Sequence, residues 1–166
     1  MVMTDFPQWV QLISPIATAV GVIIAAYNIY KNTQNAKKRG TIDMIVAENN
    51  NSELQKAISR VNQLAKDDKD CIFAVYSSEE EKFADDRAAI LEVLNHREFM
   101  SGAILEGALD EKIYKSFQYT MFIRDWDNLS GFVNELRKKK GIQTIFQEFE
   151  YLAKRWKEKP LKEKKR

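Results

Sequence analysis

A stretch of the chain without charged side chains, residues 6–30, limits most strongly what this protein can be. Within it, residues 9–30 (WVQLISPIATAVGVIIAAYNIY) are about as long as a helix must be to cross a hydrocarbon core of ~30 Å at ~1.5 Å per residue. Trp9 at one end and Tyr30 at the other match the preference of aromatic rings for the membrane interface. We therefore expect residues 1–30 to form an N-terminal transmembrane anchor.

Two alternatives compete with the anchor. A cleaved signal peptide is disfavoured because the only side-chain charge before the apolar run is Asp5, where a basic segment would be expected. A buried core helix is disfavoured because apolar or small residues cover every face between Ile16 and Ala26, with no polar stripe.

Basic residues next to the uncharged stretch predict its orientation. None precedes it, and four follow it closely: Lys31, Lys37, Lys38 and Arg39. The positive-inside rule then predicts a single-pass protein of the inner (cytoplasmic) membrane, with the N-terminus outside and the remainder in the cytoplasm. The same four residues could also rest on anionic lipid.

Small residues recur at a spacing of four inside the predicted span. Ala17, Gly21 and Ala25 would lie on one face of a helix, where the backbone of a second helix can approach closely. The pattern predicts a helix-association face and a homo-oligomer. The alternative is that small residues are simply common in membrane helices.

The remaining residues predict a helical domain over 31–158 and a basic, disordered tail over 159–166. Glycine and proline are scarce, with six and three in 166 residues, which favours long helices over a sheet with many turns. We expect an all-α fold, in which the membrane helix is followed by a cytoplasmic helical bundle.

Within that bundle, the pattern predicts a helix that ends near Leu105 and another that starts at Glu111. A polar corner is expected near Asp127–Asn128, and the cations before Gly141 predict the end of the next helix. The clearest amphipathic spacing covers residues 142–156, the final helix.

The chain lacks the sequence apparatus of the commonest catalytic and metal sites. Its one cysteine, Cys71, excludes an intrachain disulfide, and its one histidine, His96, excludes a histidine metal cluster within one chain. We expect His96 to be exposed. No Walker loop, G-x-G-x-x-G, H-E-x-x-H or Cys-x-x-Cys motif occurs. We therefore predict no catalytic residues, no cofactor and no metal.

Charge composition bears on partners. The 26 basic and 24 acidic residues are nearly balanced, whereas a nucleic-acid surface would show a one-sided basic excess. The expected partners are the membrane, a protein and a second copy of the chain, and not nucleic acid.

Glu98 and Arg124 are the charged residues that the pattern places on apolar stripes. Glu98 shares a stripe with Leu94 and Leu105, and Arg124 shares one with Phe117. Because a buried charge needs a partner, we predict that Glu98 and Arg124 form a buried ion pair. The alternative is a functional site around Glu98. Asp125 and Asp127 would point to different helix faces, so we expect them to be caps or solvated charges.

Four segments resemble the DUF4760 family of bacterial and phage proteins. They are RGTIDMIVAENNNSELQKAI at 39–58, RAAILEVLNHREFMSGAILEGALDEKIYKSF at 87–117, FIRDW at 122–126 and FQEFEYLAKRW at 146–156. The resemblance implies a small helical protein, often tethered to a membrane, and it supplies no catalytic residues.

Together these observations predict a membrane-anchored helical module that binds a protein or itself, acting as a scaffold rather than an enzyme. A phage or prophage accessory role at the inner membrane fits this design by analogy. One alternative is a pore-forming effector that perturbs the membrane. Another is an enzyme of unrecognised type centred on Glu98.

Overall fold

The structure is a computed structural model that describes residues 8–67, 76 and 79–162, with side chains from residue 15 onward. This part of the chain contains helices and no strand, which confirms the all-α class. The five α-helices are α1 (Gln8–Asn50), α2 (Ser52–Asp67), α3 (Ala84–Leu105), α4 (Glu111–Lys140) and α5 (Gln147–Glu158), and a 3-10 turn at Glu81–Phe83 leads into α3. Cys71 lies outside the described residues.

The chain divides into two compact units, Met1–Arg39 and Gly40–Arg166. The predicted domains divide earlier, after residue 30. In the first unit the described residues belong to the N-terminal part of α1. The second unit contains the end of α1 and the other four helices.

The transmembrane anchor predicted for residues 1–30 is overturned. Among the helices that the structure describes, none combines the length and the apolar character needed to cross a membrane. The prediction relied on the absence of charge, whereas residues 15–30 include four alanines together with Thr18, Gly21 and Asn28. Such side chains contribute little apolar area or carry polar groups that are costly to remove from water. The single-pass inner-membrane location predicted from the anchor is corrected with it.

Helix α4 runs unbroken through Asp127–Asn128, so the predicted polar corner is wrong. The helix continues because Trp126, Leu129 and Phe132 keep its apolar face buried across that point. It ends at Lys140 as predicted, where Gly141 takes a left-handed conformation with φ +67°.

The core of the second unit lies where α3 packs against α2 and α5, and where α5 packs against α4. Its largest contacts are aromatic: the Phe122 ring lies 4.6 Å from that of Trp156 and 4.7 Å from that of Phe149. Trp126 meets Phe149 edge to face at 5.2 Å. These contacts hold α5 against α4, and they explain the strong amphipathic pattern of the last helix.

Candidate functional site: a buried arginine cluster

Arg97 occupies the middle of the buried face of α3. That face consists of residues spaced three and four apart, which are apolar except for one charge and one serine: Ile90, Val93, Leu94, Arg97, Met100, Ser101 and Ile104. Arg97 is 1% exposed. Glu98, the next residue, was predicted from the sequence to be the buried charge. Because neighbouring side chains on a helix point ~100° apart, the predicted buried face of α3 was rotated by ~100° from the observed one.

Two carboxylates bind the Arg97 guanidinium from different helices. Nη1 of Arg97 donates to Oε1 of Glu48 in α1 at 2.7 Å. Nε and Nη2 lie 3.0 and 2.9 Å from Oδ2 of Asp125 in α4. Both carboxylate side chains are 2% exposed, so the three charges are removed from water together.

Tyr114 closes the cluster. Its hydroxyl accepts a hydrogen bond from Nη1 of Arg97 and donates one to Oε2 of Glu48, each at 3.1 Å. The Phe122 ring, with Cζ of Arg97 5.8 Å from its centroid, covers another side of the guanidinium. The cluster therefore joins α1, α3 and α4 through a buried arginine.

The charges of the cluster balance when its outer residue is included. Arg97 faces Glu48 and Asp125, and Arg124 adds a second cation by donating to Oδ1 of Asp125 at 3.2 Å. The Arg124 side chain is 43% exposed, so it links the buried carboxylate of Asp125 to the surface.

Burial and charge act in opposite directions on the ionisation of these groups. Burial by itself raises the pKa of Glu48. The neighbouring His96 and the charge of Arg97 lower this pKa by more than burial raises it, so it lies below its ordinary value. Burial by itself would lower the pKa of Arg97, but Tyr114, Asp125 and Glu48 hold it above its ordinary value. Burial also raises the pKa of Tyr114, which keeps its hydroxyl protonated. The cluster therefore holds the charged carboxylate of Glu48 beside the charged guanidinium of Arg97.

His96 lies beside the cluster rather than in open solvent, so the prediction of an exposed histidine is wrong. Its side chain is 17% exposed, and Nε2 lies 3.4 Å from Oε2 of Glu48. This proximity helps to keep the pKa of Glu48 below its ordinary value.

The structure gives Glu98 and Arg124 different partners instead of joining them. Glu98 accepts the backbone N–H groups of Glu148 at 3.3 Å and Phe149 at 2.8 Å, at the start of α5. It thereby caps a helix whose own N-cap residue, Phe146, offers no side-chain acceptor. Burial raises the pKa of Glu98, since these hydrogen bonds compensate it only in part.

The two aspartates treated alike in the sequence have different environments. Asp125 is 2% exposed and binds Arg97, which contradicts the expected cap or solvated charge. Asp127 is half exposed and forms an ion pair with Lys157.

The predicted association face and the basic residues after it are exposed for the most part. Ala17, Gly21 and Ala25 are exposed, and a methyl group added at Gly21 would meet no atom within 4 Å. Of the four basic residues, three are exposed and Lys37 is partly buried. The basic residues were predicted to set the orientation of the membrane anchor, and this prediction has no basis without the anchor. The association face remains a prediction.

Sequence reasoning missed Glu48, Arg97 and Tyr114, although two of them leave a readable signal. Glu48 follows Thr41 and Ile45 at helical spacing, and all three are buried. Arg97 stands at the centre of an apolar stripe. Tyr114 carries no such signal, because an aromatic residue on a buried face is ordinary core.

Within the described residues no group of three or more His, Cys, Asp or Glu side chains is arranged to hold a metal ion. The grooves of about 620, 530 and 270 Å³ on the described surface are lined by other residues than the arginine cluster.

These features define an all-α protein in which a buried arginine and two carboxylates join three helices. The chain belongs to the DUF4760 family, a domain of unknown function whose model matches residues 15–156. The family resemblance predicted from the sequence is thereby confirmed, while the bacterial or phage origin stays a prediction. Neither the curated proteins nor the solved structures include a match to the chain.

Proposed function

We propose that this protein is a helical interaction module that binds a second copy of itself through residues 16–30 of α1. The observation that carries the proposal is a set of large apolar side chains that are each 49–68% exposed. They are Ile16, Val20, Val22, Ile23, Ile24, Tyr27, Ile29 and Tyr30.

Apolar side chains exposed together over several helical turns are unusual on the surface of a protein that acts alone. Contiguous apolar surface is typical of sites that bind another molecule. Large apolar side chains on several faces of a helix are normally covered by other elements. Residues 16–30 therefore have the surface of a helix whose cover is supplied by another chain.

A second copy of the chain is the partner that fits this surface best. It brings a helix with the same apolar surface and the same length, as a two-fold symmetric interface requires. The face of Ala17, Gly21 and Ala25 allows two helix backbones to approach closely, and the open space at Gly21 leaves room for that approach.

The arginine cluster supports a structural role for the second unit rather than a catalytic one. Its charged atoms are paired with one another and buried, so a substrate would have to break these contacts to reach them. The carboxylate of Glu98, the centre of the enzyme alternative, already accepts two backbone N–H groups. These observations favour a structural framework over a catalytic site.

Sedimentation equilibrium of the full chain tests the proposal. The wild type is expected to be a dimer or larger at micromolar concentration, and Ile24→Glu should shift it to monomer because each chain would bury a carboxylate in the interface. Gly21→Leu should weaken association by blocking the close approach of the two backbones.

Val46→Glu is the matched control, since Val46 lies in the same helix at 51% exposure against 54% for Ile24. It should leave the mass of the assembly unchanged. A monomeric wild type, or equal effects of Ile24→Glu and Val46→Glu, would refute association through residues 16–30.

A further inference from the structure

A small groove between the start of α4 and the end of α5 gathers cations around the buried ring of Trp156. It measures about 270 Å³ and is lined by Glu111, Lys115, Arg155, Trp156 and Lys159. Three of these residues are cations and one is a carboxylate, so the lining carries a net positive charge. The arginine cluster and residues 16–30 contribute nothing to it.

The carboxylate of Glu111 binds two other residues that line the groove. Oε2 of Glu111 lies 2.7 Å from Nη2 of Arg155, and Oε1 accepts the indole N–H of Trp156 at 2.8 Å. Glu111 therefore positions Arg155 and Trp156, and its charge also acts on Lys115, so one carboxylate faces three cations in the groove.

Lys115 is held over the floor of the groove. Its Nζ lies 5.5 Å from the ring centroids of both Tyr119 and Trp156, and it donates to the backbone carbonyl of Lys159. That contact uses one of the three ammonium N–H groups and leaves two for another acceptor. Burial lowers the pKa of Lys115. The charge of Glu111 opposes this effect, and the cations Arg155 and Lys159 add to it.

We propose that Lys115, Arg155 and Lys159 form a binding site for the phosphate group of a small molecule. A phosphate dianion would neutralise the excess charge and accept charge-assisted hydrogen bonds from ammonium and guanidinium groups. The volume of about 270 Å³ lies just below the range of roughly 300–1,000 Å³ for sites that bind whole ligands, which suits a phosphate group better than a large organic ligand.

Titration of the 15N-labelled full chain with inorganic phosphate at constant ionic strength tests this site. The indole N–H of Trp156 binds Glu111 inside the groove, so its resonance should shift in a saturable manner. The indole resonance of Trp126, which lies elsewhere in the core, should stay in place and serves as the internal control. Sodium chloride at matched ionic strength should produce no saturable shift.

Removing one cation should weaken phosphate binding. Lys115→Met is expected to raise the Kd about tenfold or more, the range for loss of a hydrogen bond to a charged group. Lys138→Met removes the same charge from the exposed last turn of the same helix and should change the Kd less than about twofold. If Lys115→Met fails to fold, Lys159→Met, at an exposed position, replaces it. The proposal would be overturned if chloride reproduced the Trp156 shift or if the shift did not saturate. It would also be overturned if the groove variants left the shift unchanged.

Discussion

Glu48 and Arg97 form a buried ion pair of 2.7 Å although 49 residues separate them in the chain. Removing such charges from water costs several kcal/mol per ion, and their attraction repays that cost only with good geometry and further hydrogen bonds. Tyr114 and Asp125 supply those hydrogen bonds. We expect the pair to specify how the end of α1 meets α3 and α4 more than to add net stability.

Replacing Arg97 with methionine should strongly destabilise the second unit. The substitution keeps an unbranched side chain but leaves Glu48 and Asp125 buried without their shared cation. We expect a loss of about 3–5 kcal/mol in the free energy of unfolding. Urea denaturation followed by circular dichroism measures it.

The control for Arg97→Met is Lys112→Met, which removes an exposed cation from α4 and should change stability by about 0.5 kcal/mol or less. Adding Glu48→Gln to Arg97→Met should recover part of the loss, since it removes one of the stranded charges. A loss near 1 kcal/mol for Arg97→Met alone would show that the cluster is readily dispensable.

Glu48 should make the protein less stable in acid. Its pKa is lowered in the folded state, so the unfolded chain takes up the proton first as the pH falls. The stabilisation is complete above the ordinary value of 4.5 and is lost as the pH falls through the lower native value. Unfolding measured across this range should show a shallower acid decline in Glu48→Gln than in the wild type. Identical slopes would contradict the assigned ionisation.

Glu98 should act with the opposite sign. Because its pKa is raised in the folded state, the native protein binds the proton more readily, and this group adds stability as the pH falls from the native pKa toward 4.5. Glu98→Gln should abolish that increment while keeping one acceptor for the start of α5. The measurement is the urea midpoint of wild type and Glu98→Gln as a function of pH. The increment should be present in the wild type and absent in the variant.

The capping role of Glu98 predicts a graded loss of stability. Glu98→Ala leaves the N–H groups of Glu148 and Phe149 without their acceptor and should cost about 0.5–2 kcal/mol, more than Glu98→Gln. Glu106→Ala, at an exposed position just after α3, should be nearly neutral by the same denaturation measurement. Equal losses for Glu98→Ala and Glu106→Ala would contradict the cap.

Two glycines of the second unit should respond to alanine with opposite signs. Gly141 has φ +67°, where a side chain is strained, so Gly141→Ala should cost about 1–2 kcal/mol. Gly102 lies inside α3 with nothing within 4 Å of an added methyl group, so Gly102→Ala should add up to about 1 kcal/mol. Thermal unfolding of both variants tests this, and a shared sign would refute the assigned conformations.

Local patterns predicted much of the secondary structure. The spacing of apolar residues predicted helices throughout, with α3 ending at Leu105 and α4 ending at Lys140. The corner predicted at Asp127–Asn128 was wrong. The prediction considered only these two polar residues, whereas Trp126 and Leu129 on either side are buried and keep the helix packed. The anchor was wrong because freedom from charge was taken for apolar character.

The candidate site was predicted only in part, for a geometric reason. Glu98 was chosen as the buried charge one residue away from Arg97, and a helix turns by ~100° between neighbours. Both residues contact other helices, but Arg97 lies in the core while Glu98 reaches the start of α5. The apolar spacing along α3 could not show which of the two charges lies in the core, because it contains no information on which helix packs against each face of α3.

The amino-acid sequence by itself determined the all-α class, the family and most helix ends in the second unit, because these depend on residues close together in the chain. Tertiary structure decided which charges are buried and with whom they pair. Glu48, Arg97 and Asp125 come from three helices far apart in sequence, and their meeting depends on how those helices pack. The energy of a buried charge depends on its partners, so a reading of one helix at a time could not assign it.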